Sequence, residues 1–178
     1  MNRYTLIGIG VVVVAGAILF TVVSRDTNQE VSVNNLVDTS DFDRFASLSL
    51  VDYRGNAVSL EEFRGRPLVL NSWAVWCPFC RKELPDFAKL QKEFGDQVVV
   101  IAIDRQEPLE KAKSYTDELG ISEDMLFLLD RPDSFYKSIG GFSMPETIFV
   151  NGDGEIVVHK RGPMELDEMR EHVNKILQ

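Results

Sequence analysis

The chain contains two cysteines, and they sit three positions apart in Trp76-Cys77-Pro78-Phe79-Cys80. A predicted buried strand, Pro67 to Trp73, runs directly into them, and a predicted helix starts at them. Two thiols at this spacing can open and close one disulfide. The attacking form of a thiol is its thiolate. A helix N-terminus favours that form through its partial positive charge and free N–H groups, and a second thiol one turn on can resolve a mixed disulfide. Two other uses fit the same spacing. Half of a zinc site would need further ligands, but only His159 and His172 remain, remote from the pair and without ligand spacing. An inert structural disulfide would close a loop too short to constrain the unfolded chain much. The strand–CxxC–helix context favours redox chemistry.

The pair depends on the elements around it. Leu48, Leu50 and Val58, Leu60 flank Asp52-Tyr53-Arg54-Gly55-Asn56, a strand–turn–strand signal. Ser59 and Glu62 have capping-box spacing for a short helical turn ending at Gly65. Pro67 to Trp73 is apolar enough for a central strand. The helix after Cys77 turns Leu84, Phe87, Leu90 and Phe94 inward, is expected to kink at Pro85, and ends at Gly95. Gln97 to Ile103 reads as a strand covered on both faces. A helix with Pro108 in its first turn follows, with Leu109, Ala112, Thr116 and Leu119 inward. Met125 to Leu129 is a strand, and Pro132 to Ile139 a short helix before Gly140-Gly141. Thr147 to Val150 and Glu155 to His159 pair across Asn151-Gly152-Asp153-Gly154. The last helix, Glu165 to Leu177, buries Leu166, Met169, Val173 and Ile176. The order is βαβα followed by ββα, with no internal repeat.

The length of 178 residues suits one domain plus extras, and 44% hydrophobic with 26% charged residues suits a globular core. A net charge of −9 without a basic run argues against a nucleic-acid partner. Leu6 to Val23 is an eighteen-residue run with no charge and only Thr21 polar. As a helix it would be ~27 Å long, close to the hydrocarbon thickness of a bilayer. A signal peptide cut after Ala15-Gly16-Ala17 is the rival reading. It would leave Ile18-Leu19-Phe20 exposed at the new terminus, so an uncleaved anchor in the lipid bilayer is favoured. The chain then divides into a tail (1–5), an anchor (6–23), a polar linker (24–41) and a domain (42–178). Arg3 and Arg25 nearly balance across the span, so charge alone does not orient it. A short tail inside and a large domain outside is the orientation adopted.

This order of elements, with Trp73-Ala74-Val75-Trp76-Cys77-Pro78-Phe79-Cys80, resembles the thioredoxin superfamily, and more closely the membrane-anchored TlpA/ResA/DsbE-like thioredoxins of bacteria. Three further segments carry the similarity: Asp52 to Leu60 with Gly65-Arg66-Pro67, Arg81-Lys82-Glu83-Leu84-Pro85, and Ser143-Met144-Pro145-Glu146-Thr147. The resemblance covers roughly Phe42 to Gln178. It implies an α/β thioredoxin fold, with a central mixed β-sheet flanked by helices, an N-terminal β-hairpin extension and one preceding transmembrane helix. It also implies a thiol–disulfide oxidoreductase on the outer side of a bacterial cytoplasmic membrane. The enzyme would reduce protein disulfides, apocytochrome c thiols being one candidate. It would draw electrons from a separate membrane donor and use no cofactor or metal beyond its own disulfide.

By the same resemblance Cys77, nearest the surface and the positive helix end, is the nucleophile, and Cys80 is the buried resolving thiol. Glu83 matches an acidic residue near the cysteines that can relay a proton; from spacing alone it is equally a solvated helix carboxylate. Asn71 stands where cytosolic thioredoxins carry a buried aspartate, and it cannot titrate. Pro145 is expected to be cis, with the Met144 backbone offering a docking edge to an extended substrate. Trp73 is expected in the core. Trp76, Pro78 and Phe79 are expected to meet substrate, and His159 and His172 to be structural. The subfamily more often has proline second between the cysteines; here Pro78 is first, which bears on the direction of exchange. A thiol peroxidase of the redoxin group would want a PxxxTxxC-type loop that Trp73 to Cys77 lacks. A copper-binding module would want a histidine near the pair; His159 is remote and Met144 a soft ligand of low specificity.

Overall fold

The computed structural model describes residues 41–178. The tail, the anchor and almost all of the linker expected from sequence lie outside the described residues. Among the described residues no helix is long and apolar enough to cross a membrane.

A seven-stranded mixed sheet organises the domain. Its strands are β1 (Ser49–Asp52), β2 (Ala57–Ser59), β3 (Leu68–Trp73), β4 (Val99–Arg105), β5 (Leu126–Asp130), β6 (Glu146–Val150) and β7 (Ile156–Arg161), in the order β2-β1-β5-β4-β3-β6-β7. The central β3–β4 and β4–β5 pairs are parallel, whereas β6 joins β3 antiparallel and the two hairpins close the edges. The helices are α1 (Pro78–Phe94), α2 (Leu109–Glu118), α3 (Ser134–Ser138) and α4 (Leu166–Ile176). Several boundaries sit one or two residues from their sequence positions.

Strand alternation divides the core into two layers. Val69 and Trp73 of β3, Val100 and Ala102 of β4, and Phe149 of β6 face a layer that holds both cysteines, Leu84, Phe87 and Leu90 of α1, and Met169 and Val173 of α4. Leu68, Leu70, Ile101, Ile103 and Ile148 face the other layer, filled by Phe42, Phe45, Leu60 and Phe135. The aromatic trio there packs edge to face, with ring centroids 5.2 and 5.7 Å apart. Among the described residues the core begins at Phe42.

Local signals work as their chemistry requires. Ser59 and Glu62 close the capping box on the 3-10 turn Leu60–Phe63. Pro78 opens α1, where its missing N–H costs nothing, and Gly95 ends it at φ +54. Pro85 lies inside α1, which runs through it from Pro78 to Phe94. Its ring removes the bond to the Arg81 carbonyl, and the Tyr115 hydroxyl of α2 lies 3.5 Å from that oxygen. Tyr115 is buried where the sequence pattern of α2 favoured Leu109 and Leu119, both only half-buried.

Candidate active site

Strand β3 ends at Trp73, and three residues separate it from Cys77. The turn closes on itself through the Cys77 amide, which donates to the Ala74 carbonyl at 3.1 Å. Cys77 is the N-cap of α1, and its sulfur accepts the Cys80 amide at 3.1 Å. The two cysteines form a disulfide across a Cα–Cα distance of 5.3 Å. The sulfur of Cys77 thus sits at the N-terminus of α1 and accepts one of its first amides, an environment that stabilises a thiolate.

Cys77 is the more open cysteine of the pair, but by little. It is only 2% exposed, scarcely more open than the fully buried Cys80. Trp76 and Phe79, by contrast, are 58% and 57% exposed. Pro78 is exposed between them, and Trp73 is in the core.

Glu83 lies one turn beyond Cys80 on the same side of α1, and it is buried, not solvated. Its Oε1 accepts from Asn71 Nδ2 at 3.0 Å, and its Oε2 from the Met164 amide at 3.2 Å. Burial, against these two hydrogen bonds, pushes its carboxyl up to about 8. Asn71 also donates to Thr147 Oγ1 at 2.9 Å, across the β3–β6 register pair. The Asn71 Oδ1 has no partner among the described residues. A cleft of about 340 Å³, lined among others by Phe79, Lys82, Met164 and Glu165, reaches Glu83 from solvent.

The Met144–Pro145 bond is cis, as expected from sequence. Pro145 is buried, and Met144 is half-buried against the core layer that contains both cysteines. Residues that sequence reasoning missed fasten this loop. Glu146, fully buried, accepts the Phe142 and Ser143 amides on Oε2, at 2.8 and 3.1 Å. Its Oε1 meets His159 Nε2 at 2.6 Å and Arg161 Nε at 3.1 Å, both from β7. Tyr136 donates to the Ser143 carbonyl at 3.1 Å, and its ring lies where a Cβ on Gly141 would come within 2.5 Å. Phe142, 85% exposed, is the most open aromatic among these residues. Its only sequence signal was an aromatic in a Gly-Gly-Phe-Ser loop. His172 lies elsewhere, edge-on to Phe149 at 5.0 Å. Among the described residues no group of three or more His, Cys, Asp or Glu side chains could hold a metal ion.

The model of the redoxin family matches residues 31–177. The thiol-disulfide oxidoreductase ResA of Halalkalibacterium halodurans is 34% identical over 118 residues, spanning 65% of this chain and 66% of that one. The thioredoxin-like protein YneN of Bacillus subtilis is 28% identical over 176 residues, 98% of this chain and 99% of that one. Among solved structures, a secreted Mycobacterium tuberculosis disulfide oxidoreductase homologous to E. coli DsbE superposes with a TM-score of 0.67 at 21% identity, over 75% of this chain and 98% of that chain, a likeness of fold. A disulfide at the start of a helix, a cis-proline loop packed on the same core and the family match over most of the chain together establish that the chain belongs to the redoxin family of the thioredoxin superfamily and is similar to ResA.

Proposed function

We propose that this thiol–disulfide oxidoreductase works as a reductant of protein disulfides through Cys77 as nucleophile and Cys80 as resolving thiol. The thiolate of Cys77 attacks a substrate disulfide; a Cys77–substrate bond forms and one substrate sulfur leaves as thiolate. Cys80, having given up its proton, then attacks the Cys77 sulfur and releases the second substrate thiolate. Two electrons pass to the substrate, and the enzyme is left with its Cys77–Cys80 disulfide. A dithiol donor must return two electrons for the next cycle, and a separate membrane protein is the proposed source.

The observation that carries this reading is the Cys77 sulfur, capped by the Cys80 amide at the first turn of α1. Glu83 supports it: with its carboxyl raised to about 8, it is mostly protonated at neutral pH, its ionised fraction can accept the proton of Cys80, one turn away on α1, and the acid form can return it. Trp76, Pro78 and Phe79 present apolar surface beside the sulfur, and Met144 and Pro145 would form the edge along which an extended substrate segment lies. Apocytochrome c thiols are one proposed end product. Leu6 to Val23 is proposed to anchor the chain in the bacterial cytoplasmic membrane with the domain outside.

The test is insulin reduction by the full chain with a dithiol donor. Cys77→Ala should abolish turnover, and Cys80→Ala should accumulate a mixed disulfide with substrate through Cys77. Turnover by Cys77→Ala, or trapping through Cys80 alone, would overturn the assignment. Retention of the chain in membranes after a high-salt wash tests the anchor; recovery of a soluble form beginning near Ile18 would replace it with a signal peptide.

A further inference from the structure

The turn that carries Trp76 and Cys77 is held by a residue outside the site described so far. Val75, two residues before Cys77, donates its amide to Glu107 Oε2 at 2.6 Å. Glu107 comes from the segment between β4 and α2, thirty-two residues away in sequence, and it is 5% exposed. Its other oxygen, Oε1, lies 2.5 Å from Lys111 Nζ, in the first turn of α2. Its own amide donates to Asp104 Oδ1 at 3.1 Å. Asp104 is fully buried beside Trp73, its register partner in the β3–β4 pair.

The local backbone is bent to make this contact. Gln106, between Asp104 and Glu107, takes a left-handed conformation at φ +64. A non-glycine residue adopts that region at a cost, and here it sets the chain so that the Glu107 carboxylate meets Val75. The two carboxyls differ in their surroundings. The buried Oδ2 of Asp104 has no partner among the described residues, and burial together with the adjacent Glu107 holds its carboxyl well above the ordinary aspartate range. Glu107 has the Lys111 ammonium beside one oxygen and the Val75 amide on the other.

We infer that Glu107 is a positioning residue for disulfide exchange: its carboxylate fixes Val75, and through Val75 the placement of Trp76 and the line of attack of Cys77. The Ala74–Cys77 turn has one bond of its own, from the Cys77 amide. Without Glu107 the Val75 amide has no acceptor, and the segment between Trp73 and the helix start loses its second fixed point. The inference rests on Cys77 being the attacking thiol.

The test uses the full chain with Glu107→Ala and Glu107→Gln. The amide oxygen of glutamine can still accept from Val75. Insulin reduction should fall roughly tenfold in the alanine variant, since small misplacements of a reacting group are costly, and return to within about twofold of wild type in the glutamine variant, which keeps the acceptor. The Val75 amide proton, read by NMR in the oxidised protein, should move upfield in Glu107→Ala and much less in Glu107→Gln. A folded alanine variant with wild-type turnover overturns the inference. So does a glutamine variant impaired as badly as alanine. Should the alanine variant not fold, amide exchange in the wild-type protein decides. Val75 lies in a connecting turn, so slow exchange supports the anchor and fast exchange overturns it. A wild-type chain that reduces no insulin would instead refute the reading of Cys77, and the exchange of Val75 would still test the anchor.

Discussion

Replacing Glu83 with glutamine should change how stability depends on pH, and the size of the change follows from the site. In the fold the Glu83 carboxyl titrates near about 8, against an ordinary glutamate value of 4.5. Because the folded value is raised, the native state keeps this proton after the unfolded chain has released it. The stabilisation is therefore complete below 4.5, declines as pH rises, and is gone above about 8. Each pH unit in that window corresponds to about 1.4 kcal/mol, so the whole interval is worth about 5 kcal/mol as an upper figure. Glutamine stays neutral throughout. It can accept the Met164 amide on its oxygen and donate to the unpartnered Asn71 Oδ1 after a half-turn of the Asn71 amide. The assay is equilibrium urea unfolding of the oxidised proteins, so that no thiol titrates, at intervals from pH 5 to 8.5. Other buried acids, Asp104 among them, contribute equally to both proteins and cancel in the difference. The variant should gain on wild type steadily as pH rises, by several kcal/mol overall. A difference that changes by less than about 1 kcal/mol across the range would refute a buried, protonated Glu83, because a solvated carboxylate is all that such a curve allows.

In the reduced protein, iodoacetamide should label Cys77 ahead of Cys80, since the Cys77 sulfur caps the helix and accepts the Cys80 amide; mass-mapped labelling of Cys80 first would reverse the roles. Glu146→Ala removes the partner of Arg161, His159 and two loop amides at a fully buried position, and should cost about 3–5 kcal/mol; urea unfolding showing a loss below about 1 kcal/mol would contradict the packing described. Gly141→Ala would drive a Cβ into the Tyr136 ring and should cost about 1–3 kcal/mol, read in the same assay. Phe142→Ala and Trp76→Ala remove exposed apolar surface, so KM for a protein disulfide should rise while reaction with a small disulfide stays near wild type; equal effects on both reagents would count against a docking role.

What the sequence determined by itself was whatever depends on neighbours in the chain. The pair Cys77–Cys80 at a strand-to-helix junction, Pro78 at the first helical position, the Ser59–Glu62 capping box and the Asn151–Gly154 turn are set by backbone geometry over a few residues, and each is found where its residues place it. The exposed indole of Trp76 and the buried one of Trp73 were legible too, because a strand leading into a turn assigns one to the sheet and the other to the rim. Tertiary structure alone decided the state of the carboxyls. Nothing local separates Glu83 from a solvated helix glutamate: its burial depends on Asn71 in β3 and on Met164, twelve and eighty-one residues away. Glu146 and Glu107 likewise look like surface acids until β7 supplies His159 and Arg161 to one, and the reactive turn supplies the Val75 amide to the other. Desolvation and long-range pairing set the charge of a buried acid, and both exist only once distant segments of the chain have closed around it.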